Sequence, residues 1–549
     1  MYLEIETRKS KTNEVSYRVK ICKSFKVNGK SKKQTIRNVG TCKTEKEIEI
    51  LKRHGHKLIE LELEKLNGGQ LFDPTDAHDT CEVTSKNMNY KRLKEEKRIH
   101  EGVREVFGHL FDESGFKSIL KGNQGEILKQ VVISRIENPV SKRKTQEILE
   151  RKCDFKTSLD SIYRMITALS KQTDALIQNT FNQAKTLFQE KLDIVFFDVT
   201  TLYFESVIQD ELRDFGYSKD CKFHQTQIVL ALAVTREGLP LGYKLFPGST
   251  AETKSLISCL DEWKKYIEIQ RVVFVADRGM FSYNNLSALE KCGYEFIVAC
   301  PLKKQKCELK NQIIDPEFFS TNKIRKIPHK ISYKDPVTKA FNEINGTLIV
   351  THTNDRAKKD AHDREQLLSK LDKLIGKSRA DVKKLISNKG YLKFTKLNGT
   401  TISALNETKI ETEKKWDGIH GIFTNANLSE EEVLAKYKGL WQIEAAFRIS
   451  KSDLSMRPIY HFTKQRIEGH IAVCFIALFL IKKSQILLEK NNIKLSPERL
   501  RMELEMVQSS IVYDKHTALR FRMPSNMSDI AKSIYSSLNV DRSLSVQRY

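Results

Sequence analysis

Asp198 and Asp277 each end a short apolar run: Leu192-Asp193-Ile194-Val195-Phe196-Phe197 before the first, and Val272-Val273-Phe274-Val275-Ala276 before the second. In an α/β sheet the carboxyl edge of the strands is where reacting groups gather. One acid there caps a helix or starts a turn as readily as it does chemistry. Two on neighbouring strands change the balance, because carboxylates held side by side repel and a divalent cation such as Mg²⁺ relieves the repulsion. A third acid stands downstream. Tyr437, Glu444 and Lys451 are spaced by seven residues, close to two helical turns, so a continuous helix would project all three from one face. Trp441, Ile443 and Phe447 flank that stripe. Read alone, Glu444 and Lys451 are an exposed pair on a surface helix; read with the two aspartates, Glu444 is the natural third ligand.

Positioning these acids requires a sheet with flanking helices. Strands are expected over Leu192–Asp198, Gln227–Val234, Leu239–Phe246, Arg271–Ala276 and Tyr294–Cys300, with Arg236-Glu237-Gly238 as a hairpin turn. Helices are expected over 251–268 and 282–292. The order β-β-β-α-β-α-β describes a mixed sheet rather than a repeating βαβ barrel. Around this core the chain divides into a basic β unit over 1–43, built on an Asn28-Gly29 turn, and a helical, DNA-binding region over 44–190. The core itself spans 191–302 and 416–490, interrupted by a basic insertion over 303–415 with a long helical pattern from Ala357 to Ile386. Its second part carries the third-acid helix and an apolar packing helix at 471–487. A helical tail follows over 491–549.

Composition narrows the partners. The 549 residues hold 94 Lys+Arg against 70 Asp+Glu, a formal net charge of +24. Residues 1–43 carry a net +9, with Lys30, Lys32, Lys33 and Arg37 close together, and residues 303–415 carry a net +12. Solvated surface accounts for such runs in many proteins, but basic modules flanking a neutral core suit a chain that holds nucleic acid while a separate site acts on it. The length predicts three to five structural units with a sizeable core. The longest apolar stretch, Ile471 to Ile481, is too short to span a bilayer, and no secretory signal pattern opens the chain. Ten cysteines without a CxxC pair indicate neither a zinc cluster nor a disulfide framework. The expectation is a reduced, cytoplasmic, nucleoid-associated protein with no membrane partner.

Several ordered blocks resemble one family. Asp198-Val199-Thr200-Thr201-Leu202-Tyr203-Phe204-Glu205, Gly216-Tyr217-Ser218-Lys219-Asp220, Leu239-Pro240-Leu241-Gly242 and Phe246-Pro247-Gly248-Ser249-Thr250 are similar to bacterial insertion-sequence transposases. So are Val275-Ala276-Asp277-Arg278-Gly279-Met280, Tyr437-Lys438-Gly439-Leu440-Trp441-Gln442-Ile443-Glu444 and Arg457-Pro458-Ile459-Tyr460-His461. The group is the DDE cut-and-paste class, whose third-acid helix bears a Tyr-Arg-Glu-Lys signature. The resemblance covers about 190–485 strongly and the first 190 residues only in general layout.

The resemblance implies an RNase H-like α/β core with an inserted domain, and a catalytic, metal-holding triad of Asp198, Asp277 and Glu444. Two Mg²⁺ ions, with Mn²⁺ as a substitute, would serve hydrolysis at the transposon end and then transfer of the freed 3′-hydroxyl into target DNA. Asp198 would bridge both ions. The implied partners are double-stranded DNA, as terminal inverted repeats and as target, and a second copy of the chain in a synaptic homodimer. Tyr437 and Lys451 match the signature's first and last members and would position phosphates; Lys219 and Arg278 lie in matching blocks. The signature's Arg position holds Leu440, and Arg448, one turn after Glu444, is a candidate replacement. A nuclease of the same fold without strand transfer, and a non-catalytic DNA-binding derivative, are the alternatives; a carboxylate-pair glycosidase is opposed by the basic surface. His224, His461 and His470 read as structural, Asp417 as a turn residue before Gly418, and Asp193, Glu205 and Asp220 as further carboxylates near the core.

Overall fold

The structure, a computed structural model, describes residues 2–9, 15–27, 30–42, 44, 47, 48, 51, 52, 54–56, 58, 59, 93–189, 194–216, 224–263, 265, 266, 273–319, 323–334, 339–376, 393–398, 401–515 and 518–549. It divides into two compact units: Met1–Arg98 with Ser509–Ser525 and Ser543–Tyr549, and Ile99–Gln508 with Asn526–Arg542.

The basic N-terminal segment forms a three-stranded antiparallel sheet of β1 (Tyr2–Lys9), β2 (Val15–Val27) and β3 (Lys30–Cys42). Val27 pairs with Lys30, so β2 and β3 meet across the expected Asn28-Gly29 turn, whose two residues lie outside the described ones. Val19, Ile21, Cys22 and Cys42 are buried in this sheet. Within the region over 44–190 expected to be helical, β4 (Leu93–His100) is a strand.

In the second unit, helices α1 (Gly102–Glu113), α2 (Asn123–Glu137), α3 (Lys142–Cys153), α4 (Leu159–Leu169) and α5 (Thr173–Leu187) precede the sheet. The sheet core follows the expected order: β5 (Ile194–Tyr203), β6 (Gln227–Thr235), β7 (Pro240–Pro247), α6 (Glu252–Trp263), β8 (Val273–Ala276), α7 (Tyr283–Lys291) and β9 (Glu295–Ala299). β5, β6 and β7 are antiparallel neighbours, while β5, β8 and β9 run parallel. This is the mixed, RNase H-like arrangement the resemblance implies. Every residue of β6 is buried, so the strand is covered on both faces and reads as an unbroken apolar run rather than an alternation.

The basic stretch over 303–415, expected as an insertion, adds strands to this sheet. After α8 (Cys307–Ile314), strands β10 (Ile324–Lys334) and β11 (Phe341–His352) join the core sheet by way of a later strand, β14 (Ile419–Thr424), giving the order β10-β11-β14-β9-β8-β5-β6-β7. The reason is apolar: Ile344, Leu348, Ile349 and Val350 need covering and are fully buried. The remainder, α9 (Asn354–Asp372), β12 (Thr395–Asn398), β13 (Thr401–Leu405) and α10 (Glu407–Lys414), closes a small core of its own from Leu371, Leu374, Phe394, Ile402 and Ile410. The long helix expected to Ile386 ends at Asp372; residues 377–392 lie outside the described ones.

β14 (Ile419–Thr424) then returns the chain to the sheet beside β9, and α11 (Glu430–Lys438) and α12 (Trp441–Arg448) follow. α13 (Lys464–Lys490) is the apolar packing helix, longer than its 471–487 core. By length and composition it could cross a membrane, but 89% of its most apolar window is buried inside the protein, against α2, α4 and β7. It is a core helix. The C-terminal region, expected to be helical, alternates α14 (Pro497–Glu505), β15 (Gln508–Asp514), β16 (Arg520–Pro524), α15 (Asp529–Ser537) and β17 (Gln547–Arg548), with β17, β16, β15 and β4 in one sheet. Its first strand contains the β-branched and aromatic run Ile511-Val512-Tyr513, which the helical expectation overlooked.

Candidate active site

Register brings the two aspartates together. Phe197 of β5 pairs with Ala276 of parallel β8, so Asp198 and Asp277 follow at adjacent positions on strands about 4.8 Å apart. Asp198 is half-buried, and its Oδ1 accepts from the Val199 N–H at 2.7 Å. Asp277 is exposed and heads the 3₁₀ turn Arg278–Met280, yet its side chain makes no capping hydrogen bond to that turn. The ordinary structural use for an acid at this position is therefore not what Asp277 does.

The third-acid segment is seated on the same face of the sheet. Side chains alternate along a strand, so Asp198 shares its face with Phe196. At Gly439, between α11 and α12, a Cβ would lie 2.4 Å from Phe196 Cζ. Only glycine lets the backbone rest this closely on the ring. From that seat α11 packs on β8 and β9, and α12 on β5 and β6. Ile443, Ala446 and Phe447 are buried against the core, leaving Glu444 exposed. The start of α11 is held by a capping box, Ser429 with Glu432.

Tyr437 links this segment to the aspartates. Its hydroxyl lies near the Asp277 carboxylate, and its ring lies 5.2 Å from the His420 imidazole. Burial, reinforced by the Asp277 charge, pushes the phenol well above its ordinary pKa, so it remains a donor. Burial, then the nearby Arg356 guanidinium, pushes His420 down to about 4, leaving it neutral at pH 7. His420 on β14 and Arg356 on α9 escaped the sequence reading, because a lone His in a strand and one Arg among many carry no spacing signal.

The single helix face expected for Tyr437, Glu444 and Lys451 is broken. Tyr437 belongs to α11, Glu444 to α12, and half-buried Lys451 to a π-helical turn, Ile449–Asp453. The seat at Gly439 interrupts the first spacing, and the wider π turn alters the second. Arg278 is exposed, and its charge reaches both His420 and Tyr437. Arg448 is exposed on α12 and lines a cavity of about 550 Å³ with Trp441, Asp453 and Lys482; Glu444 does not line it. Lys219, Asp220 and Asp193 lie outside the described residues. Asp417 does sit in a turn, where both of its oxygens also receive Arg364.

Among the described residues, no three His, Cys, Asp or Glu side chains stand close enough to share one ion. What the fold juxtaposes is the backbone of the two aspartates and the seating of the third-acid segment over their face. The donor set of two Asp and one Glu is all hard oxygen, which fits Mg²⁺ or Mn²⁺ rather than a thiophilic metal.

Other similarity blocks converge on the far end of β5. Ile459 N–H donates to the Tyr203 carbonyl at 3.2 Å, and the Arg457 guanidinium lies 5.5 Å from the Tyr203 ring. Gly216 and Gly248 lie backbone to backbone, with a Cβ on Gly216 only 2.0 Å from the Gly248 oxygen.

The family described as Transposase DDE domain matches residues 189–480, just over half of the chain. Among solved structures, a piggyBac transposase synaptic complex with hairpin DNA is 11% identical, with a TM-score of 0.34 over 74% of this chain and 77% of that one. A Mos1 transposase paired-end complex with left transposon end is 14% identical, with a TM-score of 0.14 over 32% of this chain and 59% of that one. A Mos1 strand transfer complex has 14% identity and a TM-score of 0.15 over the same shares of the two chains. No curated protein matches the chain.

Proposed function

We propose, proceeding from the fact that this chain belongs to the DDE transposase family, that Asp198, Asp277 and Glu444 are its catalytic acids and hold two Mg²⁺ ions where the middle of β5 runs beside the carboxyl end of β8. As a DDE transposase it is a metal-dependent enzyme of DNA transposition. The observation that carries the residue assignment is the register of Phe197 with Ala276, together with the seat of Gly439 on Phe196, the ring on the Asp198 face.

Divalent ions bound there would acidify a water and neutralise charge on the phosphoryl oxygens. The chain's own groups set up the rest. Tyr437 keeps its proton and orients the Asp277 carboxylate. Arg278 offers positive charge beside that acid, and with Tyr437, Lys451, Arg448 and Lys219 it is assigned to hold phosphates of the transposon end. Water attacks the scissile phosphorus, the bond to the 3′ oxygen breaks, and the freed 3′-hydroxyl then attacks a target phosphodiester in a second in-line displacement. The substrates assigned are terminal inverted repeats and target duplex, handled by a homodimer within a bacterial cytoplasm.

Cleavage of a duplex carrying the element's own terminal repeat tests the triad. Asp198→Ala, Asp277→Ala and Glu444→Ala should each lower the Mg²⁺-dependent rate by about 10³-fold or more, the size expected for losing several kcal/mol of charge stabilisation. Any one of them cutting at the wild-type rate removes that residue from the site. Precleaved end DNA then separates a transposase, which joins it to target, from a nuclease, which does not.

A further inference from the structure

A large cavity lies away from the carboxylates. A groove of about 1270 Å³ runs between the Phe116–Ile119 turn, α4, α5 and the start of α13. Its charged lining is lopsided: Lys121, Arg164, Lys171 and Arg466 face one acid, Asp160. The second feature is carboxamides, with Gln124, Gln172, Gln178 and Asn182 along the same walls. Arg466 lies over the Tyr163 ring, 4.5 Å from its centroid, which holds a cation in place at the rim. No side chain of the active-site cluster takes part.

Cations spaced along a groove suit a polyanion's backbone. Amides add something a plain electrostatic track does not need, because Asn and Gln pair with base edges, most directly with adenine. The groove is also tied to the catalytic sheet. Tyr163 meets His461 edge-on with centroids 6.2 Å apart, and His461 ends the block whose Ile459 bonds Tyr203. Five strand residues, about 17 Å, separate Tyr203 from Asp198. The groove therefore lies within roughly one turn of duplex, ~34 Å, of the aspartates.

We infer that this groove is a sequence-reading site for duplex DNA flanking the scissile bond. One strand is seated by the four cations, and base edges are read by Gln172, Gln178 and Asn182. The inference rests on the transposase reading above and adds to it the place where end sequence is recognised.

Fluorescence anisotropy with full-length protein, on terminal-repeat duplex and on a scrambled duplex across a salt series, tests it. Arg164→Ala/Lys171→Ala should weaken binding to both duplexes and flatten the slope of log affinity against log salt by about 1.8, two phosphate contacts' worth. Arg164→Lys/Lys171→Arg should restore both, which a misfolded protein would not do. Gln172→Ala/Gln178→Ala should leave the salt slope intact and cut the preference for the terminal repeat at least tenfold. Wild-type slope in the basic double variant, or undiminished preference in the amide double variant, overturns the inference. Failure of the wild-type protein to prefer the terminal repeat at all would instead count against the transposase reading.

Discussion

His461 and His470 show how a histidine beside a functional block can be structural. Their rings lie 5.1 Å apart, His470 is buried, and its Nε2 lies 3.3 Å from the Met456 carbonyl. Burial, then the nearby Lys142 and Arg135 charges, push His461 down to about 3, and the same causes in the same order lower His470. Both rings are neutral in the fold, whereas an unfolded chain would protonate them near 6.5. The folded pKa values lie below the unfolded ones, so the stability these rings contribute is complete above about 6.5 and drains away as pH falls towards 3. Between pH 7 and pH 5, His461 alone should cost about 2 kcal/mol. His461→Phe keeps an aromatic edge against Tyr163 but removes the proton site. Chemical unfolding at pH 7 and pH 5 should show a smaller loss in that variant than in the wild type, and an equal loss would mean that the ring is solvated.

The joint between α11 and α12 is an element held by one missing side chain. Gly439 has ordinary helical dihedrals, φ −62° and ψ −10°, so alanine is sterically welcome in the backbone and unwelcome only against Phe196. Gly439→Ala should therefore act by lifting α12 from the sheet, at about 1–3 kcal/mol for overpacking. It should lower cleavage far more than DNA binding. Adding Phe196→Leu, which removes the ring, should recover part of both stability and activity. If the single variant cleaves normally, the joint does not position Glu444. The same joint marks the limit of what the sequence discloses. The strands carrying Asp198 and Asp277 were legible because each opens as a dense apolar run, and the acids stood out where the runs stop; the first strand continues past Asp198 to Tyr203, so that acid is mid-strand rather than at an end. Glu444 was legible through its neighbours, but the spacing of seven promised one helix. The break at Gly439 comes from a contact with a strand about 240 residues earlier, and the π turn at Ile449–Asp453 from tertiary packing, which local periodicity does not encode. The placement of β10 and β11 was hidden for a similar reason: their pairing partner β14 lies some 70 residues further on.

At the scale of the whole molecule, a chain with a net charge of +24 keeps two aspartates side by side on neighbouring strands of one sheet. Positive surface elsewhere does little to relieve them, since at physiological salt charges more than about 8 Å apart are largely screened. The repulsion is local, and so is its remedy. Removing one charge should relax the ion-free protein, so Asp198→Asn should melt slightly higher than the wild type in EDTA. Ion binding should reverse the ranking. Any ligand that binds only the folded state stabilises it by about 2.7 kcal/mol at a hundred times its dissociation constant. For a unit the size of Ile99–Gln508 with Asn526–Arg542 that is a rise of about 3 °C, at about 2.1 cal/mol/K of unfolding entropy per residue. Wild-type protein should therefore gain about 3 °C in Mg²⁺ or Mn²⁺ without DNA and lose the gain when EDTA is restored, while Asp198→Asn and Glu444→Gln should gain little. Calorimetric melting curves in the four combinations of protein and ion measure this without any turnover. An ion-dependent rise that survives both substitutions would place the bound cations somewhere other than beside Asp198 and Asp277.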